Sequence, residues 1–178
     1  EKPIQLLIRN LELDGYLYQA SRLLAPEKDV LDVEAESGLL KSLYVSLGLS
    51  GSDTAFHHLS LSAEHYENGK WDDSISNSRK FFECVLQETA SIHSRSMRKT
   101  PLTQSTLEKP VLIRKYLETE GLLESIEAEA IAKVYGLLSH TGNHPYMAEK
   151  DQARLLRNLA LTLSQFVLLR LQGCLAPK

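Results

Sequence analysis

Apolar residues recur every three or four positions along almost the whole chain. That one feature restricts the fold most, because a 3.6-residue period lines one face of a helix and is wasted in a strand. Breakers are sparse, with 9 Gly and 6 Pro in 178 residues. The pattern therefore predicts an all-α fold, a single helical bundle of about six to eight helices over residues 1–178. Within it, residues 1–50 form a helical N-terminal part of unrecognised type and residues 52–173 form the main bundle.

The expected helices follow from the apolar stripes and their punctuation. Ile4, Leu7, Ile8, Leu11, Leu13, Tyr16, Leu17 and Ala20 predict a first helix to about Leu24, broken by "APEKDV". A second runs from Val33 to Leu47. Ser52 or Asp53 caps a third, which reaches about Asn68. "WDDSISNSRKFFECVLQETASIH" is the fourth, with Asp72 and Asp73 placed to favour the helix dipole. The polar "SRSMRKTPLTQSTLEK" reads as a mobile loop. A fifth helix covers about Lys109–Glu118, a sixth starts at Ser125, and a seventh runs from near Pro145 to about Gln172.

The longest apolar run, "LALTLSQFVLLRLQG", contains Ser164, Gln165 and Arg170 and is too short and too polar for a bilayer span. It reads as a buried core helix, so no membrane partner is expected. Cys84 and Cys174 stand far apart without a CxxC pair, and no signal peptide opens the chain. Both features point to a cytoplasmic protein with free thiols. The chain begins at Glu1 and not at Met, as expected of a processed protein or one cut from a larger protein with additional domains; a partner protein is a separate expectation.

Two helical patterns meet at "SHTGNHPY". Gly142 can end one helix and Pro145 fits the first turn of the next, which leaves His144 at or near the N-cap. A corner of that kind accounts for Gly142, Asn143 and Pro145, but histidine is not a preferred cap. At a helix N-terminus the dipole favours a neutral imidazole, and the free amides there can hold a phosphate. The corner thus pairs a base with an anion site, and the other reading is a pair of structural histidines. His140 and His144 are four apart, but Gly142 interrupts the helix that would align them. His57, His58 and His65 read as solvated, capping or core-edge side chains. Neither group predicts a metal site, and without a Gly-rich phosphate loop no cofactor is expected.

The fourth helix carries Arg79 along the same stripe as Ile75, Phe82 and Leu86, with Glu83 one turn later. A charge facing a core is paired or serves a cavity. Arg79 therefore reads either as an i,i+4 ion pair with Glu83 or as a cation aimed into a polar cleft. Residues 91–116 hold six Lys or Arg against one Glu, a span of +5 in a chain of −3. Arg95, Arg98 and Lys99 on that span are candidate contacts for RNA or another polyanion, or else a solvated segment.

The segments "SAEHYENGKWDDSISNSRKFFECVL" and "VYGLLSHTGNHPYMAEKDQARLLRNLA" together resemble the HEPN superfamily, in particular the abortive-infection-like proteins of prokaryotes. The resemblance covers about Ser62 to Ala160. It implies an up-and-down helical bundle, often dimeric, in a defence or stress system. Many such domains are metal-independent ribonucleases, whose motif places an Arg, usually followed by a polar residue, four to six residues before a His. His144 matches that His. The Arg does not match, since positions 138 to 140 hold Leu138, Ser139 and His140. The resemblance then implies an endoribonuclease in which Arg79 or His140 supplies the cation, with Asn143 and Ser139 positioning the phosphate. Its alternative is a non-catalytic helical dimerisation or interaction module. RNA and a second copy of the chain are the partners it implies.

Overall fold

The computed structural model describes residues 4–5, 7–8, 17–19, 22–24, 33–141 and 148–176. The chain divides into two compact units, Glu1–Leu39 and Leu40–Lys178. This boundary lies earlier than the 50/52 division read from the sequence.

The first unit corrects one expectation. Ile4, Gln5, Leu7 and Ile8 are helical, but the helix predicted to Leu24 gives way to an antiparallel pair, β1 (Leu17–Gln19) and β2 (Arg22–Leu24). Leu17 pairs with Leu24, Tyr18 with Leu23 and Gln19 with Arg22. A short apolar run does not separate the two periods, and Gly15 disfavours a continuous helix by about 1 kcal/mol relative to Ala.

The rest is all-α, as its periodicity demands. Its helices are α1 (Val33–Ser46, which spans the unit boundary), α2 (Ser52–Glu67), α3 (Trp71–His93), α4 (Gln104–Leu107), α5 (Pro110–Thr119), α6 (Ser125–Thr141) and α7 (Lys150–Leu175). No helix among the described residues is long and apolar enough to cross a membrane.

Helix α3 is the hub. Its Ile75, Phe82 and Leu86 enter one core cluster with residues of α5, α6 and α7, while Phe81 and Val85 enter a second with α1, α2 and α7. The side toward α2 is lined with small polar groups. Ser62 and Ser78 share a 2.7 Å hydroxyl hydrogen bond, and the Ser74 hydroxyl donates to the Ser62 carbonyl at 2.8 Å. These short side chains let the two backbones approach while the hydroxyls of Ser62, Ser74 and Ser78 each keep a partner.

Two further expectations are corrected. The segment after α3 is not a structureless loop. A π-helical turn, Ser94–Arg98, prolongs α3, ends at Lys99 with φ 55°, and is followed by α4. Thr103 adopts extended geometry before α4, and its Oγ1 lies 3.0 Å from both Ser105 Oγ and Thr106 Oγ1. Gln87 Nε2 ties the segment down by donating to the Leu107 carbonyl at 3.3 Å. Side-chain hydrogen bonds replace the apolar period that the sequence lacks there.

The second correction concerns α7, which starts at Lys150 with Glu149 as its extended N-cap. The start predicted at Pro145 lies outside the described residues. Just before the helix, the Ala148 amide donates to Asp72 Oδ1 of α3 at 3.1 Å. His144, placed at or near the N-cap by the sequence, lies outside the described residues as well.

Candidate functional site

The described polar group nearest to the predicted chemistry is built around Tyr135. Tyr135 lies on α6, one turn before Ser139, and tertiary packing sets its ring against α3 and α5. Its hydroxyl donates to Glu83 Oε1 of α3 at 2.5 Å. Glu83 Oε1 also lies 3.8 Å from Arg79 Nε, the i,i+4 pair anticipated from the sequence. From α5, Arg114 lays its guanidinium 4.1 Å from the centre of the Tyr135 ring, a favourable cation–π placement.

The electrostatics follow from this arrangement. Burial pushes the Tyr135 phenol up, and so does the hydrogen bond to the Glu83 carboxylate. Ser139 and Arg79 act in the opposite sense. Burial lowers the Arg114 guanidinium, against the stabilising effects of Tyr135 and Glu83. Two arginines face one carboxylate, so the group carries a local excess of positive charge. Arg114 Nη1 and Ser139 Oγ are both buried without a hydrogen-bond partner of good geometry. Ser139 Oγ nevertheless sits near enough to the Tyr135 hydroxyl to affect its ionisation. Arg114 likewise approaches the Tyr135 hydroxyl, so both side chains retain hydrogen-bonding capacity beyond what Tyr135 takes up.

Beside Glu83 a cleft of about 180 Å3 opens between α3, α4 and α5, with Gln87, Leu107, Glu108 and Ile113 on its walls. His140 is exposed in the last turn of α6. His144 and Asn143 lie outside the described residues. Arg79, Ser139 and His140 therefore belong to one end of the α3–α6 pair. Tyr135 and Arg114 were missed, because Tyr135 reads as one more apolar position of α6 and Arg114 as one more charge in a basic span.

The basic residues fall elsewhere. Arg95, Arg98 and Lys99 are exposed at or just after the π-helical turn, and Arg98 pairs with Glu120, the C-cap of α5. Arg98 lies nineteen positions beyond Arg79 along α3 and its extension, roughly 28 Å of helix. The two sets of residues thus do not form a single pocket.

The turn adjoins a second polar group. His93 is 3% exposed, and its Nδ1 shares a 3.0 Å hydrogen bond with the Tyr116 hydroxyl. Burial depresses its pKa, Glu120 opposes the shift and Arg98 adds to it. An unfolded histidine titrates near 6.5. The unfolded chain thus takes up the proton first as pH falls, so the stability present above about pH 6.5 declines below it until the folded imidazole also titrates. Urea midpoints at pH 8 and pH 5 are expected to show this loss, and His93→Gln is expected to shrink it. An equal loss in the variant would assign the pH dependence to other groups.

His58 Nδ1 donates to Asn77 Oδ1 at 3.1 Å, and Asn77 Nδ2 donates onward to the Asp73 carbonyl. Among the described residues, no group of three or more His, Cys, Asp or Glu side chains is arranged to hold a metal ion. Comparison of the chain with family models, with curated proteins and with solved structures finds no match.

Proposed function

We propose that the protein is a HEPN-like endoribonuclease that cleaves RNA without a metal, using the Tyr135 group as its phosphate site. One observation carries the reading. Arg114 Nη1 and Ser139 Oγ, two buried polar atoms without a well-formed hydrogen bond, both lie against Tyr135, with Arg79 beside its Glu83 partner. A non-bridging phosphate oxygen would satisfy both atoms, and arginine matches phosphate geometry better than any other side chain.

In this reading the ribose 2′-oxygen attacks the adjacent phosphorus and the 5′-oxygen leaves, giving a 2′,3′-cyclic phosphate and a free 5′-hydroxyl. His144 and His140 exchange the two protons, removing one from the 2′-hydroxyl and supplying one to the leaving oxygen. Arg79 and Arg114 hold the charge that builds on the phosphate. Asn143 positions the substrate, and Arg95, Arg98 and Lys99 attract the strand from a distance as a sequence-independent basic surface. The working unit is a cytoplasmic homodimer in a prokaryotic defence or stress system.

The test is cleavage of a labelled RNA in EDTA by wild type and by His144→Ala. Activity is expected in the first, with a loss of about 10²–10⁴-fold in the second. Equal rates in both, or none in either, would remove the ribonuclease reading. The alternative, a non-catalytic dimerisation module, is favoured by the outward apolar residues of α7, Leu155 and Leu169. It predicts no cleavage by either protein.

A further inference from the structure

The cleft beside Glu83 takes its walls from three helices and holds about 180 Å3. Pockets for whole small molecules run to several hundred Å3, so this one suits a single flat ring system and not a complete nucleotide. Leu86 of α3 and Ile113 of α5 are buried in its wall, and Leu107 of α4 and Pro110 of α5 are half-buried beside them. Four apolar side chains from three helices give a planar ring contact for its faces.

The polar lining favours donors. Glu83, Gln87 and Glu108 supply it, and among the described residues no Lys or Arg lines the cleft. Glu83 is engaged by the Tyr135 hydroxyl and by Arg79, which makes it the wall shared between the cleft and the phosphate site. Glu108 accepts a hydrogen bond from Gln104 Nε2 at 3.1 Å. A carboxylate has about four lone-pair positions, so most of its accepting capacity remains. Gln87 Nε2 carries two hydrogens and gives one to the Leu107 carbonyl at 3.3 Å. The cleft therefore offers a carboxylate acceptor and an amide N–H, both fixed in place by neighbours before any ligand arrives.

We propose that this cleft holds a guanine base of a bound RNA strand, with Glu108 as the residue that selects it. The proposal rests on the ribonuclease reading above and names the base that the site takes. Guanine alone sets two adjacent N–H donors on its pairing edge, N1–H and the N2 amino group, with O6 beside them as an acceptor. The Glu108 carboxylate takes the two donors as a pair, and the remaining Gln87 N–H is left for O6. Adenine and cytosine set a ring-nitrogen acceptor beside their amino group, and uracil flanks its N3–H with two carbonyls. Each of those acceptors would face the carboxylate. A phosphate in the cleft would meet two carboxylates and no cation, so the phosphate stays with Arg79 and Arg114 while the base lies across Glu83 from it.

The experiment has two arms, both on the full chain. The first is equilibrium binding of short single-stranded RNAs that are identical except for one central G, A, C or U. The G strand is expected to bind about 10- to 100-fold more tightly than the others. Inosine at that position lacks the N2 amino group and is expected to lose most of the gain. Glu108→Gln keeps the side-chain shape at an exposed position but leaves a single acceptor, so it is expected to bind the four strands about equally with an unchanged urea midpoint. The second arm maps cleavage in EDTA on an RNA containing all four bases. Wild type is expected to cut beside G, and Glu108→Gln without preference. Equal binding of the four strands by wild type, or preference for another base, overturns the guanine site whether or not RNA is cut. A guanine preference that Glu108→Gln retains overturns the role of the cleft. Guanine-selective binding lost in Glu108→Gln, with no cleavage by wild type, upholds the guanine site and removes the ribonuclease reading alone.

Discussion

Arg79→Ala is expected to lower RNA cleavage by about 10²–10³-fold, the usual cost of removing one donor aimed at transition-state charge. The effect should fall mainly on kcat, because charge on the equatorial phosphate oxygens develops during reaction and is weaker in bound substrate. Arg79→Lys keeps the charge but loses the planar fork, so it should recover only part of the rate. Arg79 is 20% exposed at its side chain, and its Glu83 pair lies at 3.8 Å, a distance at which an i,i+4 pair contributes only a few tenths of a kcal/mol; the urea midpoint of the variant, measured alongside, separates a loss of stability from a loss of cleavage. Glu83→Gln gives the complementary result. It removes the negative charge that competes with phosphate for Arg79, so RNA should bind more tightly, as read by filter binding at fixed salt. Wild-type cleavage rates in Arg79→Ala would detach this arginine from the chemistry whatever the histidines do.

Arg79 and Glu83 also show how far the sequence could be read. Both lie on one helix, four residues apart, and a local spacing rule is enough to bring them together. The Tyr135 hydroxyl that completes the group comes from 52 residues away. No periodicity within α3 or α6 encodes that approach, because it depends on how two apolar faces settle against each other. Arg114 is a similar case. On a charge count it is one of six basic residues, and only packing separates it, half-buried over an aromatic ring, from the solvated Arg95.

The misread elements have local causes of a different kind. Alternation and helical spacing overlap over the three-residue strands Leu17–Gln19 and Arg22–Leu24, so the pairing of Tyr18 with Leu23 was not legible. The short helix α4 has no buried residue and hence no apolar stripe to announce it. Its order comes from Thr103 and Gln87 hydrogen bonds, the second of them from another helix. The face of α7 was hidden for the opposite reason. Its leucines are so numerous that the outward set, Leu155 and Leu169, has the same composition as the inward one. Only the burial of Arg157 and Ser164 marks which side is turned to the core.

Phe82→Ala is expected to destabilise the bundle by about 3–5 kcal/mol, a large share of the 5–15 kcal/mol typical of a domain. Phe82 is fully buried in the cluster that joins α3 to α5, α6 and α7. Truncation there loses the transfer free energy of the ring and leaves a cavity that four elements would have to move together to fill. Phe81→Ala should cost a similar amount through a different route, since Phe81 belongs to the cluster with α1 and α2. Phe56, a half-buried ring on the edge of that second cluster, should cost less when cut to Ala. Urea midpoints with an unchanged slope are the measurement. A loss below about 1 kcal/mol for Phe82→Ala would show that α3 is not the hub. Because Arg79 and Glu83 ride on the same helix, one turn before Phe82 and directly after it, a destabilised α3 would also loosen the Tyr135 group. Cleavage assays on core variants are therefore interpretable only below the temperature at which each begins to unfold.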